Sequence, residues 1–387
     1  MSVKTDDSSA LSIADKYYKD YGSRARELKE EDRRFIGYLC AYVPVEVIHA
    51  AGFIPFRIKG NVDEPITMAD TNMEAIVCPL VRSCYDMTLK GKYDFIEGLV
   101  IPHACDSICR TYEIWKYTLG LKYNHLVNVP HETGDSSVRF FVNILKTFRQ
   151  SLGGFCGKDI TDKDLNTSIE IYNQMRSNVR ALYDLRKKDP PQISGSEATR
   201  TLIAGAGIPV EEFDDLLSGV VDEAKARDKT GTEKLPRVMV IGGQVDNANF
   251  VDLVEDSGAV VVADDLCPGT REFFPQVSVG DDPVSALAER YLLKIHCPRT
   301  YRIKKDTYED YLDERFGHIG RFIKDFNVDG VILYIYKYCD PFGFEVPQMK
   351  SYIEAMGKPV LYLEDEYSMS TIGRLRTRIQ AFLELIA

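Results

Sequence analysis

The sequence contains no run of about 20 apolar residues, which a membrane-spanning helix requires. Its opening stretch, MSVKTDDSSALSIADKYYKDYG, has no basic segment followed by an apolar one, so no secretory leader is read there and a cytoplasmic protein is expected. Positive charge is in short supply. Against 59 Asp and Glu stand 48 Lys and Arg, a formal net charge of -11 that offers no counterion release on a phosphate backbone. Nucleic acid and membrane are therefore not expected as partners. The phosphate loop G-x-x-x-x-G-K-[ST] is missing, since GGFCGKD fails in both spacing and final residue. GAGIPV lacks the third glycine of a dinucleotide fingerprint, so no nucleotide is expected on this chain. The six histidines form no zinc-like cluster with the cysteines, and no low-complexity tract or clear internal repeat appears.

What remains is a globular α/β pattern. With 387 residues, 44% hydrophobic and 28% charged, the chain is too long for one ordinary core and suits two domains. The runs FIGYLCAY (35–42), FIPFRI (53–58), FIEGLVIP (95–102) and HLVNVP (125–130) read as strands, separated by helical stretches at 45–51, 79–90 and 106–119. From 162 to 229 strand signals vanish and charged residues recur with helical period, broken at Pro190 and Pro191. A second series follows in RVMVIGG (237–243), AVVVADD (259–265), GVILYIYKY (330–338) and PVLYLEDE (359–366), closed by an amphipathic helix over 370–386. The expected organisation is a helical leader (1–30), a first α/β domain (31–160), a helical connector (161–235) and a second α/β domain (236–387). Both domains should be Rossmann-like, of the flavodoxin type, with parallel sheets and a functional cleft between them.

Nine cysteines are hard to explain as structural disulfides in a cytoplasmic chain, because the cytosol keeps thiols reduced. Ligands in open α/β sheets gather outside the carboxyl ends of strands. Cys105 ends LVIPHAC and Cys339 ends VILYIYKYC, while Pro79 places Cys78 at the start of a helix, where a thiolate is favoured. Three converging thiolates would hold a 4Fe-4S cube by three corners. Buried inert cysteines remain the competing reading, because the spacing is unlike the compact runs of ferredoxins.

The stretches GYLCAYVPVEVIHAAGFIPFRIKG, CPLVRS, VIPHACDS, VVVADDLCPGTREF, YKYCDPFGFEVPQMK and GKPVLYLEDEY follow, in order, landmarks of another kind. In these six blocks the chain resembles the 2-hydroxyacyl-CoA dehydratase and benzoyl-CoA reductase superfamily. The resemblance implies that Cys78, Cys105 and Cys339 are cluster ligands. Cys84, Cys109 and Cys40 lie in or beside the same blocks, and six thiolates would hold two cubes that share a bridging sulfide. In this the chain looks like the double-cubane cluster proteins. That likeness implies a homodimer that takes electrons from a separate ATP-hydrolysing iron-sulfur reductase and reduces small molecules at an 8Fe-9S centre. The alternatives are a 4Fe-4S subunit of a 2-hydroxyacyl-CoA dehydratase or aryl-CoA reductase, and a non-catalytic electron-transfer protein.

Other residues near these blocks invite roles of their own. His103 is a candidate proton donor beside Cys105, or a surface histidine. Glu46 is a candidate proton carrier near Cys40, or an exposed first-turn carboxylate. Arg82 and Arg110 are candidates to offset cluster charge, or simple salt-bridge partners. Cys156, Cys267 and Cys297 are set aside as non-ligands, Cys267 as part of a turn.

Overall fold

The computed structural model describes residues 9–227, 232, 234–302 and 305–386. Of the organisation read from sequence, 1–8 of the leader, 228–231 and 233 of the connector, and 303–304 and 387 of the second domain therefore lie outside the described residues. Strands β1 (Phe35–Tyr38), β2 (Ile54–Arg57), β3 (Ile96–Pro102) and β4 (Tyr123–Val127) form one parallel sheet in the order β2-β1-β3-β4. Strands β5 (Arg237–Gly242), β6 (Val260–Asp265), β7 (Gly330–Tyr336) and β8 (Val360–Asp365) form a second in the equivalent order β6-β5-β7-β8. The α/β class with two Rossmann-like sheets is thus what the structure shows. In each sheet the strand order reverses beside its first strand, which opens a crevice beyond the carboxyl ends of β1 and β3, and again of β5 and β7. Every residue of β1, β2, β5, β6 and β7 is buried, which explains why these strands read as continuous apolar runs rather than as alternating ones.

Helices cover the sheets in chain order. Before and within the first sheet come α1 (Ala10–Lys19), α2 (Ser23–Glu30), α3 (Val45–Ala50), α4 (Pro79–Leu89), α5 (Asp106–Thr118) and α6 (Asp135–Cys156). Between the sheets lie α7 (Asp162–Lys187), α8 (Gly195–Gly205) and α9 (Val210–Lys225). Capping boxes start two of these, Thr161 with Asp164 and Ser194 with Glu197. The second sheet carries α10 (Asn249–Asp256), α11 (Thr270–Phe273), α12 (Pro283–Glu289), α13 (Tyr308–Asp325), α14 (Asp340–Ala355) and α15 (Ile372–Ile386), with a single π turn over Arg290–Lys294.

Three local expectations change. The strand read over 35–42 ends at Tyr38, because Cys40 adopts a left-handed φ of 72° that a strand does not contain. The strand read over 125–130 starts earlier, at Tyr123, and ends at Val127. Helix α6 went unread, although Phe141, Leu145, Phe148 and Leu152 bury one face at helical spacing and Gly157 closes it with a φ of 77°. The leader, meanwhile, does not stand apart in space. Its α1 packs on α8 and α9, and the Leu11 amide donates to the Glu223 carboxylate at 3.2 Å.

Polar contacts join the two sheets directly. Arg299, from the second half, donates to the carbonyl oxygens of Ala104 at 3.1 Å, His103 at 2.9 Å, Val129 at 3.0 Å and Pro130 at 2.5 Å in the first. Tyr42 and Thr300 share a buried hydroxyl pair at 2.6 Å. Such buried bonds hold the carboxyl ends of both sheets against each other.

Candidate functional site

Cys78, Cys105 and Cys339 occupy one local position three times over. Each immediately precedes the first turn of a helix, α4, α5 and α14 respectively. Proline in the opening turns of α4 and α14 fixes the backbone for that entry. Burial pushes the Cys78 thiol up to about 11 and the Cys105 thiol up to about 12, and it raises that of Cys339 well above the usual thiol range. After burial, Cys78 and Cys105 are the next largest causes for Cys339, so the three sulfurs lie within electrostatic reach of one another. Helix-start amides act in the opposite sense: those of Leu80 and Val81 favour charge on Cys78, that of Ile108 on Cys105 and that of Phe342 on Cys339. At the end of β5, a Cβ added to Gly243 would come 3.8 Å from the Cys339 sulfur, which places this group at the switch point of the second sheet.

A second cysteine group lies beside the first. Burial raises the Cys40 thiol, and Cys267 and Cys297 raise it further. Cys297 is raised by burial too, with Arg271 opposing that shift. The Arg271 guanidinium donates to the Cys267 sulfur at 3.3 Å and is itself fixed by the carbonyls of Gly242, Asp265 and His296, each at 2.9 Å, and by the Asp265 carboxylate at 2.8 Å. Cys297 also adds to the shifts of Cys105 and Cys339, so the two groups adjoin. Next to Cys297, His296 stacks on His318 with ring centroids 4.4 Å apart, and His318 meets Asp265 at 3.2 Å. Burial is the main cause that drives His296 down to about 2, so this ring stays neutral.

Residues 40–386 match the 2-hydroxyglutaryl-CoA dehydratase, D-component family. The chain belongs to it. A benzoyl-CoA reductase subunit from Thauera aromatica is 30% identical over 337 residues, covering 84% of each chain. The (R)-phenyllactyl-CoA dehydratase beta subunit of Clostridium sporogenes is 26% identical, covering 97% of this chain and 100% of that one. The (R)-2-hydroxyglutaryl-CoA dehydratase beta subunit of Acidaminococcus fermentans is 22% identical over 92% of this chain and 93% of its own length. The superfamily read from the six sequence blocks is therefore shown, and it places this chain among dehydratase and reductase subunits, as an enzyme of the oxidoreductase kind.

Within this dehydratase-family chain, Cys84 and Cys109 border the first cysteine group, and the other candidates make contacts of their own. Cys84 is fully buried on α4, its sulfur 4.0 Å from the Ile58 carbonyl; burial raises its thiol, and Asp246 and then Cys78 raise it further. Cys109 lies one turn into α5 beyond Cys105; Asp106, Arg299 and Arg110 influence it, and it in turn raises the Cys105 thiol, ahead of Cys297. The Cys156 sulfur sits over the Gly153 carbonyl at 3.4 Å, at the end of α6. Arg82 is paired with Asp70, and Arg110, largely exposed, with Asp106 at 3.2 Å. Cations attending the cysteines include Arg271 and Arg299 at Cys297, Arg57 at Cys40, and Arg299 and Arg110 at Cys109. His103 contacts Asn128 at 3.0 Å and meets His131 edge to face, with centroids 4.9 Å apart.

Glu46 needs a different account from an exposed first-turn carboxylate. It is 0% exposed, ion-paired with Arg176, and accepts from the Tyr291 hydroxyl at 2.7 Å. Burial alone would raise its pKa, but Arg176 and Arg290 outweigh that and hold it below the usual carboxylate range. Its two cationic neighbours therefore favour the charged form.

Cys267 stands in a turn, as read from its sequence block, and it also has a strand-end position. Cys267 follows the apolar run of β6 by two residues, as Cys105 follows β3 by three and Cys339 follows β7 by three. Cys297 has no such marker, because the segment before it is a π turn rather than a strand.

Proposed function

We propose that the two adjoining groups, Cys78, Cys105 and Cys339 with Cys40, Cys267 and Cys297, hold a double-cubane 8Fe-9S cluster used to reduce a small molecule. The observation that carries this reading is the gathering of six of the nine cysteines, in two sets of three, at the carboxyl ends of both sheets. Among the described residues no three His, Cys, Asp or Glu side chains are placed to share a single metal ion. In this assignment Cys84 and Cys109, read from sequence as ligands, give way to Cys267 and Cys297.

The donor chemistry fits. Every thiol of the first set stands at a helix start that favours thiolate, while burial resists charge until a cation arrives to offset it. When bound, such a cluster supplies one-electron transfer at low potential. Around it Arg271 and Arg299 would supply fixed positive charge. With no nucleotide loop in the sequence, low-potential electrons would come from a separate ATP-hydrolysing iron-sulfur reductase, and the working unit would be a cytoplasmic homodimer.

The test is turnover. Anaerobically purified protein, given such a reductase, ATP and a simple reducible probe such as acetylene, should reduce the probe without any unlike subunit. A second reading is supported by the relatives, three of which are named as subunits of acyl-CoA dehydratases or of benzoyl-CoA reductase. Under that reading the chain is a 4Fe-4S subunit of a heteromeric enzyme. Co-purification of an obligatory unlike subunit, together with tight acyl-CoA binding, would select it.

A further inference from the structure

The turn that delivers Cys339 to α14 runs Tyr336-Lys337-Tyr338-Cys339 and is closed by the Cys339 amide, which donates to the Tyr336 carbonyl at 3.1 Å. Its third residue, Tyr338, has a φ of 62°, the left-handed position that such a turn ordinarily gives to glycine. A bulky side chain there costs free energy that glycine avoids. Tyr367, the other left-handed tyrosine among the described residues, has a visible reason for its place: its buried hydroxyl donates to Asp246 at 2.8 Å, and its ring meets that of Tyr336 edge to face. Tyr338 has no such anchor. It is 49% exposed, and its side chain makes no hydrogen bond and no ring contact among the described residues. Backbone strain without a structural return points to a task for the side chain itself. The ring stands at the mouth of the first cysteine group, where Cys105 and Cys339 are partly exposed. Ile76, two residues before Cys78, and Phe344, in the second turn of α14, border the same mouth at 70% and 83% exposure. Charge at this rim leans to one sign. The cations on the segments around the three cysteines are paired, Arg82 with Asp70, Arg110 with Asp106 and Lys337 with Glu366. Asp340, directly after Cys339, has no ion-pair partner among the described residues, and its field reaches Cys78. Arg299, behind Cys109, is buried and spends its donors on four carbonyls.

On the reading of this cysteine group as the reaction site, we infer that Tyr338 gates its mouth, the ring narrowing the approach to Cys339, and that Tyr338 and Asp340 together select small uncharged molecules over anions as substrates. An apolar ring puts a limit of size on a neutral molecule and no barrier of charge, whereas a carboxylate at the rim repels an anion before it arrives. Glycine in the turn would relieve the backbone and leave the mouth open.

The test follows iron release from anaerobically purified, full-length protein by a neutral chelator, 2,2′-bipyridine, and by an anionic one, bathophenanthroline disulfonate. Tyr338→Ala and Tyr338→Gly should each speed release to the neutral chelator about fivefold or more, since access sets the reactivity of such thiol-held sites. Tyr338→Phe, which keeps the ring, should stay at the wild-type rate. Tyr338→Gly should also unfold at a higher temperature than Tyr338→Ala, which keeps the strain. Equal release from these two therefore separates access from stability. Asp340→Asn should raise the anionic rate relative to the neutral one by about twofold, the effect of one unit charge across roughly 8 Å of water. If the preparation holds no iron, the metal reading of the cysteines fails by itself, and alkylation of Cys339 by iodoacetamide against iodoacetate reads the mouth through the same variants. Release or alkylation unchanged in Tyr338→Ala overturns the gate, as does acceleration in Tyr338→Gly alone, which would come from a loosened backbone. Loss of reductase-driven reduction in Tyr338→Ala with access unchanged also overturns it and makes the ring a docking contact.

Discussion

Replacing Glu46 by Ala separates a structural carboxylate from a proton carrier. In the native chain Glu46 is the counter-charge of Arg176 and the acceptor of the Tyr291 hydroxyl, and all three groups are buried. The substitution leaves Arg176 and Arg290 in a desolvated pocket with no carboxylate between them. Removing one partner of such a buried pair costs about 3–5 kcal/mol. That is a large share of the roughly 5–15 kcal/mol that holds a typical domain folded. A chain of this size should lose roughly 4–6 °C in unfolding midpoint, read by calorimetry or circular dichroism. A double change, Glu46→Leu with Arg176→Met, should recover most of the loss, because a well-packed apolar pair avoids the desolvation of two charges. The pH dependence has a definite sign. Since the folded pKa of Glu46 lies below its unfolded value, its contribution is present above the unfolded pKa and disappears as pH falls through the folded one. The stability gap between wild type and Glu46→Ala should therefore be flat through neutral pH and close in acid. Loss of turnover with stability within about 1 kcal/mol of wild type would refute this reasoning and return Glu46 to the role of proton carrier.

Further expectations concern the cleft and its cysteines. Cys84→Ala and Cys109→Ala should each leave iron content unchanged in anaerobic preparations, whereas Cys267→Ala and Cys297→Ala should each lower it; the reverse pattern restores the ligand set read from sequence. Arg299→Ala strips the donor from four carbonyls of the first half and should cost about 3–5 kcal/mol in urea unfolding, since buried acceptors left unmade are each expensive. Arg271→Gln should keep the fold but shift the midpoint of any redox titration to lower potential, because it removes the positive charge against Cys267. An unchanged midpoint would place Arg271 outside the site.

Much of the architecture is legible because buried parallel strands leave long apolar runs, and the eight strands are found from these runs. Their ends are not. The run through Leu39 to Tyr42 is as apolar as a strand, and only the positive φ of Cys40, which sequence does not announce, stops the sheet at Tyr38. For the site, strand-end logic singles out Cys78, Cys105 and Cys339. Cys84 and Cys109 do lie beside Cys78 and Cys105, whereas the approach of Cys267 and Cys297 to Cys40 from the other half of the chain is not announced by the sequence. That Glu46 is buried rather than an exposed first-turn carboxylate is likewise invisible in the sequence, since its partners Arg176 and Tyr291 lie 130 and 245 residues away.

The most direct measurement is the count of iron and acid-labile sulfide per chain in protein purified without oxygen. Two adjoining cysteine sets predict about eight irons, reduced to a smaller number in Cys297→Ala. A count of about four, unaltered by loss of Cys40, Cys267 or Cys297, would contradict the double cubane and leave Cys78, Cys105 and Cys339 as the only ligands.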